Sequence, residues 1–178
     1  HEYVKKIIAN SIYITLGTGL VMSLSGAALA GPMLRLMQTP AENFADALIY
    51  MRIVCGFTFV VAGYNTISAE LRALGDAKTP LICLGVASVL NVGLDLLFVV
   101  PMQMGVAGAA WATVIAQFFA MLGSILYGYK KNEYLRLEKR HMRYDADITR
   151  KSFQIGIPVA AQNALIAFSC VALQSVVN

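Results

Sequence analysis

The sequence has 178 residues, 58% hydrophobic and 13% charged, with a mean hydropathy of +0.65, which excludes an ordinary soluble domain. Its net charge of +4 comes mostly from basic residues gathered between apolar runs, where a membrane topology accounts for them, so nucleic acid is not an expected partner. Cys55, Cys83 and Cys170 lie inside apolar runs and lack the spacing of a zinc site or a disulfide framework.

Five apolar runs follow one another: 12–31, 45–69, 81–100, 105–127 and 152–178. A bilayer core of ~30 Å takes about 20 residues of helix, so each run is long enough to cross it. Backbone groups in lipid must pair within the chain, and no run shows the dyad alternation of a membrane barrel. The expected fold is therefore an all-α polytopic membrane protein with about five transmembrane helices and the lipid bilayer as solvent. The chain begins at His1 without a signal peptide and stops inside an apolar run, so it is expected to be one piece of a longer protein.

In the first run Gly19, Ser23, Ala27 and Gly31 recur every four residues and predict a close helix contact. The second run carries Arg52, the one intramembrane basic residue, which reads as an interface anchor, and Tyr50, which alone fits an interfacial belt. In the fourth run Gly108, Ala112, Ala116 and Ala120 form a small-residue ridge beside Gly105, Ala109, Thr113 and Gln117. Trp111 of the same run reads as an aromatic without a partner pattern. The stretch 129–151 is polar and rich in both charges; it reads as a cytoplasmic linker or a peripheral amphipathic helix. If successive connections alternate sides, twelve basic residues fall with the N-terminal stub, 70–80 and this stretch, against Arg35 and Arg52 on the other side. The positive-inside rule then places the first group in the cytoplasm.

Asp95 is the acidic residue well inside an apolar run, in the outer half of the third. A carboxylate there costs roughly 2.5 to 3.5 kcal/mol on insertion scales and needs a partner, a proton or a cation. Asn91, four residues earlier on the same helix face, is expected to donate its amide to Asp95. Such a carboxylate can exchange a proton against a metal ion or a cationic substrate; a neutral Asp that serves packing alone is the competing reading.

The string Leu71-Arg72-Ala73-Leu74-Gly75-Asp76-Ala77-Lys78-Thr79-Pro80 resembles the "LRGLGDTKTP" signature of the multidrug and toxic compound extrusion transporters. The N-x-x-x-D spacing of Asn91 and Asp95, the run Gly105 to Thr113 and Ile155-Gly156-Ile157-Pro158 are similar to further family motifs in the same order. The resemblance implies spans three to seven of a twelve-span, two-lobe transporter. Residues 1–128 would then be part of the first lobe, 129–151 the inter-lobe linker and 152–178 the first span of the second lobe.

The resemblance further implies a cation or proton coupling site of Tyr50, Asn91, Asp95 and Thr113, whose oxygens at Asp95, Asn91 and Thr113 would also suit Na⁺. It implies H⁺ or Na⁺ as coupling ion, no other cofactor and small cationic amphipathic substrates. The remaining spans of the same transporter would be partners, and the location the cytoplasmic membrane of a prokaryote. Near Pro158, where one branch of the family carries a functional Glu, this chain has Gln162 and Asn163. A lipid-linked oligosaccharide flippase of the same superfamily, a non-transporting subunit and a truncated remnant are the alternatives. No nucleophile with a base and no phosphate loop stands at useful spacing, so an enzyme is not expected.

Overall fold

The computed structural model describes residues 2–137, 141, 142 and 144–177. Glu138, Lys139, Arg140 and Arg143 of the expected linker, with His1 and Asn178, lie outside the described residues. The described chain consists of α1 (Glu2–Leu36), α2 (Ala41–Gly56), α3 (Thr58–Ala73), α4 (Lys78–Val99), α5 (Gly105–Lys131), a 3-10 turn (Glu133–Leu135) and α6 (Ala146–Val177). Four of these helices are long and apolar enough to cross a membrane, and α2 with α3 passes the same test as a bent pair, which makes up to five spans. The chain is a multi-pass membrane protein.

The helices outrun the apolar runs that announce them. α1 starts ten residues before Ile12, and α5 continues to Lys131, so the segment between α5 and α6 shrinks from 129–151 to 132–145. Nothing in the backbone stops a helix where the hydrocarbon ends; glycine turns, prolines and caps do that. At the start of α4 the stop is visible. Gly75, with φ +88°, donates to Arg72 O at 3.0 Å, and Asp76 donates to Leu71 O at 2.8 Å, the two bonds of a Schellman closure on α3.

The run 45–69, expected as one span, bends by 43° between α2 and α3. Phe57 sits at the break with φ −107° and ψ 18°, outside helical geometry. The break takes the Phe59 N–H from its carbonyl four residues back, and Ser23 Oγ of α1 accepts it at 3.0 Å. Trp111 is not a lone aromatic: its ring lies 5.2 Å from that of Phe57 in an edge-on contact that joins α5 to the bend.

α5 is the central helix and packs on α4, α3 and α2, while α1 packs on α2 and α3. Gly108, Ala112, Ala116 and Ala120 are buried, and the ridge runs on through Ser124 and Gly128. On α1 the contact row starts at Gly19 and Ser23 but drifts to Ala30 and Leu34, because a 3.6-residue turn does not hold a strict spacing of four. Gly26 faces Cys55 at this crossing.

The segment 132–145 folds back on the basic end of the bundle. Leu135 packs with Ile8, Ile67 and Leu71, Tyr13 Oη donates to Met142 O at 2.7 Å, and the Asp145 N–H donates to Asn10 Oδ1 at 2.9 Å. Asp145 Oδ1 then accepts from the N–H groups of Asp147 and Ile148 and caps α6. From Phe153 to Cys170 the described side chains of α6 are exposed, Gln162 and Asn163 among them.

Candidate functional site

Asp95 sits one turn from the end of α4, at the end of the bundle opposite the basic residues. It and Asn91 share the half-buried face of the helix, between the exposed Val92, Gly93, Leu96 and Leu97. The expected hydrogen bond between them is not formed: Asn91 Nδ2 and Asp95 Oδ1 are both buried without a partner. Helix side chains tilt toward the N-terminus, so the short Asn91 amide points away from Asp95 and cannot reach it across about 5 to 6 Å of Cβ separation.

α4 packs chiefly on α5, the helix that carries Thr113 and Gln117, both half-buried. Asn91 and Thr113 each stand eight residues from the α4–α5 turn, so the antiparallel hairpin puts them at one level, about 12 Å from it. Thr113 Oγ1 donates to Ala109 O at 3.0 Å, which spends its hydrogen within α5 and leaves the oxygen free to accept. Gln117 Oε1, one turn further, is a third buried acceptor without a partner. The sequence had shown Gln117 only as part of a packing ridge.

Tyr50 does not join this group. It lies on α2, which makes no packing contact with α4 among the described residues, and its side chain is exposed. α5 stands between the two helices and touches both. Among the described residues no three His, Cys, Asp or Glu side chains converge.

A second polar place went unnoticed in the sequence. Glu70, near the end of α3, is half-buried, and Ser11 Oγ of α1 is hydrogen-bonded to its Oε1. One turn along each helix Thr15 Oγ1 and Thr66 Oγ1 lie 2.6 Å apart. Glu70, Thr15 and Thr66 line a partly open, mainly apolar cavity of about 330 Å³ among α1, α3, α5 and the segment after α5. Glu70 was hidden because it ends an apolar run beside a polar stretch, and its partner is 59 residues away.

The signature-like turn is structural. Asp76 accepts from the Thr79 N–H at 3.1 Å and from Thr79 Oγ1 at 2.7 Å, and Lys131 Nζ stands 3.2 Å from its Oδ2. The Thr79 hydroxyl, then the Thr79 N–H, then Lys131 together outweigh a small opposing effect of burial and hold the Asp76 carboxyl down at about 2. At this end Tyr64 Oη also donates to Pro80 O at 2.9 Å, tying α3 to the first turn of α4.

Residues 1–97 match the family model of MatE. Over 93% of its length the chain is 35% identical to "Probable multidrug resistance protein YpnP" of Bacillus subtilis, and over 99% it is 29% identical to "Probable multidrug resistance protein YoeA" of the same organism. It spans 37% of the first and 40% of the second. Among solved structures it is similar to the inward-facing conformation of a multidrug resistance MATE family transporter of the MOP superfamily, with a TM-score of 0.80 and 23% identity, covering 88% of this chain and 36% of that one. A MATE structure in the bent conformation gives a TM-score of 0.77 at 22% identity, covering 87% of this chain and 38% of that chain.

Proposed function

The chain belongs to the MatE family, and on that premise we propose that it forms part of a multidrug exporter in which Asp95 exchanges a coupling cation, H⁺ or Na⁺, against export of small cationic amphipathic compounds. The single observation that carries this reading is the pair of unpartnered buried polar atoms on one face of α4, Asp95 Oδ1 and Asn91 Nδ2. Buried polar groups in a packed helix pair are normally satisfied, and leaving one unpaired costs about 1 to 3 kcal/mol. Two on one helix face mark a place where a ligand supplies the missing bonds.

A proton or a monovalent ion fits these donors. The carboxylate oxygen of Asp95 accepts, and the hydroxyl oxygen of Thr113, level with Asn91 on the neighbouring helix, keeps lone pairs. Tyr50 lies on α2, which is not in contact with α4 among the described residues, and stands outside this pair. For transport, the ion must bind one conformation of the lobe more tightly than the other, since equal affinity shifts no population. The names of YpnP and YoeA support multidrug export, and the exporter would lie in a prokaryotic cytoplasmic membrane with the rest of the transporter as partner.

Ethidium efflux from cells expressing the full-length protein that carries this segment tests the reading. Asp95→Asn is expected to abolish efflux and Thr113→Val to weaken it, with membrane expression unchanged. Efflux by Asp95→Asn equal to the unmodified protein would exclude Asp95 as the coupling residue.

A further inference from the structure

Ser11 Oγ has two partners and one hydrogen. Besides its bond to Glu70 Oε1 it lies 2.7 Å from Ile8 O, with geometry for donation to that carbonyl. A hydroxyl donates once, and both Ile8 O and a carboxylate oxygen can only accept. The two bonds coexist when Glu70 carries a proton and donates it to Ser11 Oγ, while Ser11 donates to Ile8 O. An ionised Glu70 would force Ser11 to give up one of them.

The surroundings of Glu70 agree with a neutral carboxyl. Ile8, Ile12, Ile67 and Ile125 are among the cavity lining, and no Lys, Arg, Asp or His lines it among the described residues. Among the described residues of the packed elements the one titratable group that faces the cavity is Tyr129 of α5; α1 contributes the Thr15 hydroxyl, and the segment after α5 contributes Leu135 and Leu137. On α3 itself Arg72 Nη1 is turned to Ser68 Oγ at 2.5 Å. Among the described residues no cation lines the cavity to pair with a carboxylate at Glu70.

We propose that Glu70 is a proton-binding site at the basic end of the bundle, which holds its proton toward Ser11 Oγ and exchanges it with water through the cavity among α1, α3 and α5. On release the proton passes from the Glu70 O–H to water, and Ser11 turns its hydrogen from Ile8 O to the new carboxylate. Ile8 O keeps its own helical bond, so the switch leaves no buried carbonyl unpaired. Because Ser11 and Glu70 join α1 to α3, the proton is bound at the seam between two spans. The inference does not depend on Asp95 or on the exporter reading.

Infrared difference spectroscopy of the chain in lipid nanodiscs, titrated with alkali, tests this. The expected result is a carboxylic C=O band present at neutral pH that is lost as pH rises, absent in Glu70→Gln and retained in Asp95→Asn. In Ser11→Ala the same band is expected to shift to higher frequency, since it has lost the hydroxyl that accepts its proton. Glu70→Gln keeps a donor and an acceptor toward Ser11, and circular dichroism checks its helix content; should it not fold, the Ser11→Ala shift decides. A wild-type spectrum without such a band, a band that survives Glu70→Gln, or one that Ser11→Ala leaves unmoved would overturn the proposal.

Discussion

Lys131 Nζ, on the last residue of α5, lies 3.2 Å from Asp76 Oδ2 in the turn that begins α4, so one carboxylate joins the ends of two spans. The Thr79 bonds that cap α4 use the same group, which gives the turn a pH dependence. A carboxyl held below its ordinary 3.8 stabilises the fold above that value, and its contribution is lost as pH falls from about 3.8 towards 2. Thermal unfolding in detergent should show this loss in the unmodified chain and not in Asp76→Ala. At neutral pH the variant should be less stable by about 1 kcal/mol, the usual effect of removing a helix cap.

Gly75→Ala should also destabilise the turn. Space is not the obstacle, since nothing lies within 4 Å of a Cβ there; the φ of +88° is. A left-handed conformation costs an L-residue roughly 1 to 2 kcal/mol, and thermal unfolding should report a loss of that size.

Gly108→Ala acts by crowding instead. A Cβ at Gly108 would stand 2.9 Å from Phe98 Cβ and 3.0 Å from Met104 Cβ, so α4 and α5 must separate near the level of Asp95. Overpacking of this kind costs about 1 to 3 kcal/mol. Gly85→Ala, with nothing within 4 Å, is the control and should unfold at or slightly above the unmodified temperature.

Ser23→Ala should loosen the bend between α2 and α3, because it removes the acceptor of the Phe59 N–H. A lost cap of about 1 kcal/mol is expected in thermal unfolding. The fluorescence of Trp111, the sole tryptophan, should shift as its contact with Phe57 relaxes. An unchanged spectrum with unchanged stability would remove Ser23 from any role at the break.

The helical class and the number of spans were legible because lipid leaves the backbone a helix or a closed barrel and no run alternates as a barrel strand does, and 81–100 and 105–127 announce α4 and α5 within a few residues at all but one end. Helix ends were not legible, because α5 runs past Tyr127 to Lys131, where polarity rises without a stop signal. The bend at Phe57 falls in an unbroken apolar run, and its compensation by Ser23 comes from another span. Asp95 stood out by its burial in sequence. Its lack of a bond to Asn91 did not, because i to i+4 spacing gives a shared face but not the direction in which a short amide points. Glu70 failed the same sequence test from the other side: only the fold sets Ser11 against it.

The most direct test of the central claim is ion-coupled transport by the full-length protein in proteoliposomes, with a pH or Na⁺ gradient imposed and Asp95 intact or replaced by Asn. Uptake of a cationic dye driven by the gradient in the unmodified protein, and its loss in Asp95→Asn with gradient-independent binding retained, is the predicted result. Gradient-driven uptake that persists in Asp95→Asn would contradict it.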